Sequence, residues 1–130
     1  MPIILLGDEA GIYQEIGHAI ARAIKELKRE AVILASGDMS HYETAEAARK
    51  NDMQAVEAML ALDADELTRR YKNLHITMCA HGPVVTLITA AKDLGAKSAE
   101  LVKYQNSGDA SGDYSSVVAY AGVIFRKGGK

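Results

Sequence analysis

Asp38, Ser40 and His41 lie close together in the stretch VILASGDMSHYE, which runs from Val32 to Glu43. Histidine titrates near neutral pH, and an acid three residues away can hold its ring or raise its basicity through a hydrogen bond. That is a general acid/base arrangement, or a metal site with an outer carboxylate. The competing reading is local: Asp38 and Ser40 serve as turn or N-cap residues, and His41 covers the first turn of a following helix. Cys79 is the second reactive side chain, standing just ahead of HGPVV. Backbone N–H groups and the dipole of a helix starting there favour a thiolate, as metal ligand or as nucleophile. Against this, a lone cysteine commonly packs as a small hydrophobe. His81 could also reach a metal, but a Cys-x-His pair is a weak ligand pattern and favours a structural or solvent-facing role. In NSGDASGDYSS, Asp109, Ser111 and Asp113 alternate faintly like a calcium loop. Without the terminal glutamate and flanking helices of an EF-hand, a shaped turn between strands fits better.

These side chains need elements to position them. Val32 to Ala35 is a branched or small apolar run ending at Gly37, the pattern of a strand covered on both faces. Asp38 and His41 would then occupy a loop at its C-terminal edge, where open α/β sheets bind ligands. PIILL is a second strand candidate at the start of the chain. Between them Ile12, Ile16, Ile20, Ile24 and Leu27 recur at helical spacing over Glu9 to Arg29, with Asp8 as N-cap. Strand, helix, strand predicts a right-handed βαβ unit with parallel strands.

Further on, TAEAARKNDMQAVEAMLAL reads as one long helix or two, with Ala45, Ala48, Val56, Met59 and Leu60 inward and a slip in register near Asn51. Asp63 and Glu66 have capping-box spacing for a short helix to about Tyr71. HITMCAHGPVVTLITAAKDLGA holds a brief extended piece, then a helix with Pro83 in its first turn, Val84, Leu87, Ile88 and Ala91 as apolar positions, and Gly95 as its stop. AELVKYQNSG and SSVVAYAGVIF are neighbouring strands, and the tail RKGGK is expected to be disordered. No repeat, low-complexity block or linker interrupts this order.

The chain has 130 residues, 48% of them hydrophobic, enough for one core and one domain. Its 15 basic and 17 acidic residues give a formal net charge of −2 without clustering, so no nucleic-acid or membrane footprint is visible. No apolar run is long enough to span a bilayer, and the N-terminus lacks signal-peptide features. With a single cysteine, these features lead to a cytoplasmic expectation.

ILASGDMSHYE, CAHGP and AELVKYQNSGDASGDYSSVVAYA, in that order and with PIIL at the start, resemble the signature segments of the MEMO family. The similarity covers nearly the whole chain. It implies a fold like that of the class III extradiol dioxygenases, α/β proteins that hold a non-haem iron in a crevice at the strand ends. The resemblance gives Cys79 the position of a metal ligand, His41 that of the active-site histidine and Asp38 that of its neighbouring acid. In the dioxygenases the position like Cys79 is a glutamate, and the histidine like His41 acts as acid/base. A thiolate is softer than a carboxylate, so iron, copper or zinc are all admissible. His81 departs from the residue expected beside the cysteine.

MEMO proteins are longer than this chain, and their other metal-binding histidines lie in an N-terminal half without counterpart here. Nothing before Asp38 replaces them, since His18 falls mid-helix. The expectation is therefore a single α/β domain, residues 1–130, corresponding to the C-terminal half of a MEMO-family protein: a fragment, one half of a split protein, or a reduced stand-alone domain. Its fold class would be a mixed, largely parallel sheet flanked by helices. A sheet cut through its middle exposes an apolar edge, so the expected partner is a second copy or a complementary N-terminal half chain. The leading functional expectation is a metal-binding protein with a dioxygenase-like crevice and no assigned substrate. Two alternatives stay open: a cysteine hydrolase or transferase with Cys79 as nucleophile, His41 as base and Asp38 as orienting group, and a non-catalytic module accepting a peptide or small anion.

Overall fold

From Ala96 to Lys127 the chain doubles back on itself, because two apolar-alternating segments flank a Gly/Asp/Ser-rich turn. The computed structural model describes residues 1–7 and 9–128. In chain order its elements are helix α1 (Ala10–Leu27), strand β1 (His41–Glu43), helices α2 (Ala45–Leu60), α3 (Ala64–Asn73) and α4 (His81–Asp93), strand β2 (Ala96–Asn106), the single turn α5 (Gly108–Ser111) and strand β3 (Val117–Lys127). The sheet runs in the order β1-β3-β2 with both pairings antiparallel. The fold is thus mixed α/β, with helices packed on the sheet.

Register explains which strand residues face the core. On β3, Val117, Ala119, Ala121, Val123 and Phe125 point inward in clean alternation. On β2 the inward residues are Ala96, Ala99, Leu101 and Tyr104, skipping two positions twice. The skips coincide with irregularities between Ala96 and Ser98 and between Leu101 and Lys103. Each extra residue flips the alternation and returns the next apolar side chain to the core.

The expected largely parallel sheet is overturned. No parallel pair occurs among the described residues, and neither PIILL nor Ala31 to Ser36 is a strand. Both run without regular structure, leaving Ile4 85%, Leu6 89%, Val32 96% and Leu34 85% exposed. Their apolar pattern is that of buried strands, but a strand exists only where a neighbour answers its N–H and C=O groups. The described chain provides no such neighbour.

The helices follow the sequence more closely. Thr44 caps α2 by accepting a bond from the Ala47 N–H at 3.2 Å, and α2 is one helix rather than two. Asp63 caps α3 through the Glu66 N–H at 2.9 Å. Arg70 ties α3 to α2 through the Gln54 carbonyl at 2.9 Å and Glu57 at 2.8 Å. Arg69 and then Arg70 beside Glu66 hold its carboxyl down at about 2. Gly95, at φ +94°, ends α4 in the left-handed conformation that glycine adopts without strain.

Helix α1 departs in its buried face. It starts at Ala10 after Glu9, and the expected cap Asp8 lies outside the described residues. Tyr13, Gly17 and Ala21 are buried, whereas Ile16, Ile20 and Ile24 are half-buried and Ile12 is exposed. Small residues win the inner face because α4 comes so close: a Cβ on Gly17 would stand 2.7 Å from the Thr86 carbonyl oxygen. Helix α4 is covered on nearly all sides, with Val85 and Ile88 fully buried, and Leu67 and Met78 complete the centre of the core. Burial of a side chain such as Leu67 contributes about 1.5–3 kcal/mol. At the far end, Arg126 and Lys127 belong to β3 rather than to a disordered tail, while Gly129 and Lys130 lie outside the described residues. No helix among the described residues is long and apolar enough to cross a membrane.

Candidate metal centre

Two irregular stretches build the site. Along residues 76–80, which lead into the turn before α4, burial alternates: Ile76, Met78 and Ala80 are buried, and Thr77 and Cys79 are exposed. Period-2 alternation thus sends a hydroxyl and a thiol to the same side. Facing them, the loop from Asp38 to His41 leads into β1. Its four consecutive amide N–H groups each find a different partner: Asp38 donates to Cys79 Sγ at 3.1 Å, Met39 to the Ala119 carbonyl at 2.8 Å, Ser40 to Asp52 at 3.1 Å and His41 to Thr77 Oγ1 at 2.8 Å. A loop bound so completely holds its side chains in place.

Asp38, His41 and Cys79 come together, one donor atom of each lying within 4.8 Å of the others. His41 Nδ1 sits 2.7 Å from the Thr77 carbonyl oxygen, which can only accept, so Nδ1 carries a proton and donates. When the ring is neutral, Nε2 then bears the lone pair. That atom is 3.4 Å from an Asp38 carboxylate oxygen. Asp38 and His41 are half-buried, and Cys79 is exposed, so the group opens to solvent.

The strand pairing breaks beside His41. Tyr42 falls between the paired residues His41 and Glu43, with φ at +60°, a conformation costly for a bulky residue. The bulge turns the Tyr42 ring outward, 81% exposed, at 5.9 Å from the His41 ring.

Other polar candidates lie elsewhere. His81 is buried, stacked on Tyr71 at 4.0 Å and 3.1 Å from Thr68 Oγ1, so it packs in the core. His18 pairs with Asp93 at 2.6 Å on the α1–α4 surface. Asp109 and Asp113 spend their carboxylates on their own turn, accepting from the Asn106 N–H at 2.9 Å and the Ser115 N–H at 2.9 Å. Neither stands in a group of metal-ligating side chains among the described residues.

Two contributors escape a reading by residue type. Thr77 holds His41 through its hydroxyl and its carbonyl; the signal for it was its parity with Cys79. Asp52 is fully buried beneath the loop and accepts bonds from Ser40 and Tyr104. Burial pushes its carboxyl up, opposed by those hydrogen bonds, and burial with Asp52 nearby pushes the Tyr104 hydroxyl up as well. The break in α2's apolar pattern near Asn51 is this inward aspartate.

With the geometry in place, comparison with known proteins decides the family. The family model for "Memo-like protein" matches residues 1–124. The chain belongs to the Memo-like family. A MEMO1 family protein of Methanopyrus kandleri is 39% identical over 128 residues, covering 98% of this chain and 45% of the relative. Those of Methanocaldococcus jannaschii and Methanococcoides burtonii are 41% and 42% identical, covering 95% and 97% of this chain but 43% and 47% of their own lengths. This Memo-like chain therefore spans less than half the length of these relatives.

Proposed function

We propose that this Memo-like chain binds a transition metal ion through Asp38, His41 and Cys79 in a solvent-open, dioxygenase-like crevice. One observation carries the reading: the Thr77 carbonyl accepts a hydrogen bond from His41 Nδ1, so in the neutral ring the Nε2 lone pair lies 3.4 Å from an Asp38 carboxylate oxygen. Electron-pair donors gathered this closely repel one another unless a proton or a cation lies among them. Two ligands on one tetrahedral ion stand roughly 3.3–3.8 Å apart, given bonds of about 2.0–2.3 Å. The 3.4 Å between His41 and Asp38 fits that spacing, and the thiol is within 4.8 Å. An imidazole, a carboxylate and a thiolate together suit iron(II), zinc or copper. Such an ion supplies Lewis acidity, and for iron or copper also electron transfer. The chain's own residues hold the ligands: Thr77 fixes the imidazole tautomer, and the Asp38 amide steadies the sulfur.

The hydrolase reading asks Asp38 to orient His41 from the nitrogen opposite the thiol. Here the carboxylate meets Nε2, and Nδ1 is spent on a backbone carbonyl. Metal binding uses this arrangement as it stands. Its test is titration of purified, metal-stripped protein with cobalt(II), a spectroscopic stand-in for zinc or iron. One equivalent should bind with a thiolate-to-cobalt charge-transfer band; absence of that band at saturating cobalt refutes a Cys79-ligated centre.

The reading extends to a partner. More than half of each relative's length has no counterpart here, while Ile4, Leu6, Val32 and Leu34 stand exposed on segments without regular structure, the second of which leads into the site loop. The occupant of that surface is a complementary N-terminal half chain that pairs with these segments and completes the metal's surroundings. Mixing this chain with a polypeptide spanning the unmatched part of the Methanocaldococcus jannaschii relative should give a one-to-one complex by light scattering. Val32→Lys with Leu34→Lys should abolish it. Homodimers that ignore the added polypeptide would assign the surface to a second copy instead, and a clean monomer would remove the partner altogether.

A further inference from the structure

Asp52 lies outside the ligand set, and the core does not need it. Its inward neighbours on α2 are Ala48, Ala55, Val56, Ala58 and Met59, among which an aliphatic side chain would pack without the cost of burying a carboxylate. What the carboxylate does is hold the loop. Oδ1 accepts the Ser40 N–H at 3.1 Å and the Ser40 hydroxyl at 2.8 Å, and Oδ2 accepts the Tyr104 hydroxyl at 2.7 Å. Three donors meet one acceptor group, so every bond is of the charge-assisted kind when Asp52 is ionised. Ser40 is itself fully buried, and it is the chain neighbour of His41 and two residues from Asp38. Its carbonyl accepts the Ala119 N–H at 3.0 Å from β3. Among the loop amides described above, the Ser40 bond alone runs to α2, and Tyr104 extends the tie to β2.

We propose that Asp52 is a positioning residue for the metal centre: through Ser40, and braced by Tyr104, it fixes the loop at the depth where Asp38 and His41 meet Cys79. The inference rests on the metal reading above, and it deepens it. Partners of this kind behind metal ligands characteristically control affinity by about 10–100-fold without touching the ion.

The test compares cobalt(II) affinity, measured well below the unfolding temperature, across four variants of the chain. Asp52→Ala should weaken binding by about tenfold or more. Asp52→Asn keeps a carbonyl oxygen for both Ser40 bonds and should stay within about threefold of the parent. Leu67→Ala, a core truncation distant in role, should lose thermal stability yet bind cobalt within about twofold, which separates positioning from mere folding. Should Asp52→Ala not fold, Ser40→Ala combined with Tyr104→Phe removes two of the three donors and should reproduce the tenfold loss. Parent-like affinity in Asp52→Ala, or in the double variant, overturns the proposal, as does an equal loss in Leu67→Ala. If the parent itself binds no cobalt, the metal reading fails separately. Hydrogen exchange then decides the positioning: the Met39, Ser40 and His41 amides should exchange at least tenfold faster in Asp52→Ala than in Leu67→Ala, and equal rates overturn it.

Discussion

Replacing Cys79 by serine is expected to lower cobalt(II) affinity by more than about a hundredfold and to erase the charge-transfer band, while leaving the protein folded. The magnitude follows from the donor set. Loss of a group behind a ligand already costs about 10–100-fold in affinity, and loss of the ligand itself exceeds that. Serine's oxygen can still accept the Asp38 N–H that the sulfur accepts at 3.1 Å, so the loop keeps that bond. Its hydroxyl remains neutral at working pH and supplies no charge to a cation. The side chain is exposed, so the substitution opens no cavity, and stability should stay within about 0.5 kcal/mol of the parent. Calorimetric titration beside a thermal melt reads both quantities. Equal metal binding by parent and variant would leave Cys79 as a bystander and reduce the centre to Asp38 and His41.

How far the sequence discloses this molecule depends on where each signal originates. Local chemistry was legible in part. Asp63 caps α3 because a short oxygen-bearing side chain before a helix has one favourable use, and Gly95 ends α4 for an equally local reason. The cap of α2 is Thr44 rather than Asp38 or Ser40. The β2–β3 hairpin was legible too, since both strands and their turn are contiguous. Partnership was not. Val32 to Ala35 has the composition of a central strand, and composition says which surface a segment would bury, not whether another strand lies beside it. The isoleucines of α1 misled in the same way: they mark an apolar stripe, yet Gly17 and Ala21 take the inner face because only small residues let α4 approach.

The site shows a similar division. Asp38, His41 and Cys79 could be singled out by type, and one donor atom of each lies within 4.8 Å of the others. Neither Thr77 nor Asp52 is a residue type that announces such a role. Thr77 matters because it shares the exposed parity of Cys79, and its hydroxyl and carbonyl meet the His41 N–H and ring. Asp52 matters because helical periodicity carries a carboxylate under Ser40. Both were encoded as parity, and parity becomes meaningful only when the facing loop is known.

The meeting of the two loops rests on a contact with no reactive group in it. Gly37 lies against Ala80, and a Cβ added there would stand 2.9 Å from both the Cα and the Cβ of Ala80 and 3.1 Å from its nitrogen. Carbon atoms prefer separations of about 3.5–4.0 Å, so Gly37→Ala must part the loops. The first bonds to stretch would be those that join them: the Ala80 N–H to the Asp38 carbonyl, already 3.3 Å, and the Asp38 N–H to Cys79 Sγ. Overpacking of this kind costs about 1–3 kcal/mol, and a lateral shift near 1 Å in a constellation can cost about a hundredfold in function. The expected result is a melting temperature lower by several degrees together with cobalt affinity reduced by tenfold or more. Gly11→Ala provides the contrast, because a Cβ at that position of α1 meets nothing within 4 Å. It should raise stability by about 0.5–1 kcal/mol, through the higher helix propensity of alanine, and leave cobalt affinity unchanged. If Gly37→Ala melts and binds cobalt as the parent does, the loops are held at their separation by something other than this contact, and the thiol would have to be placed by the 76–80 segment alone.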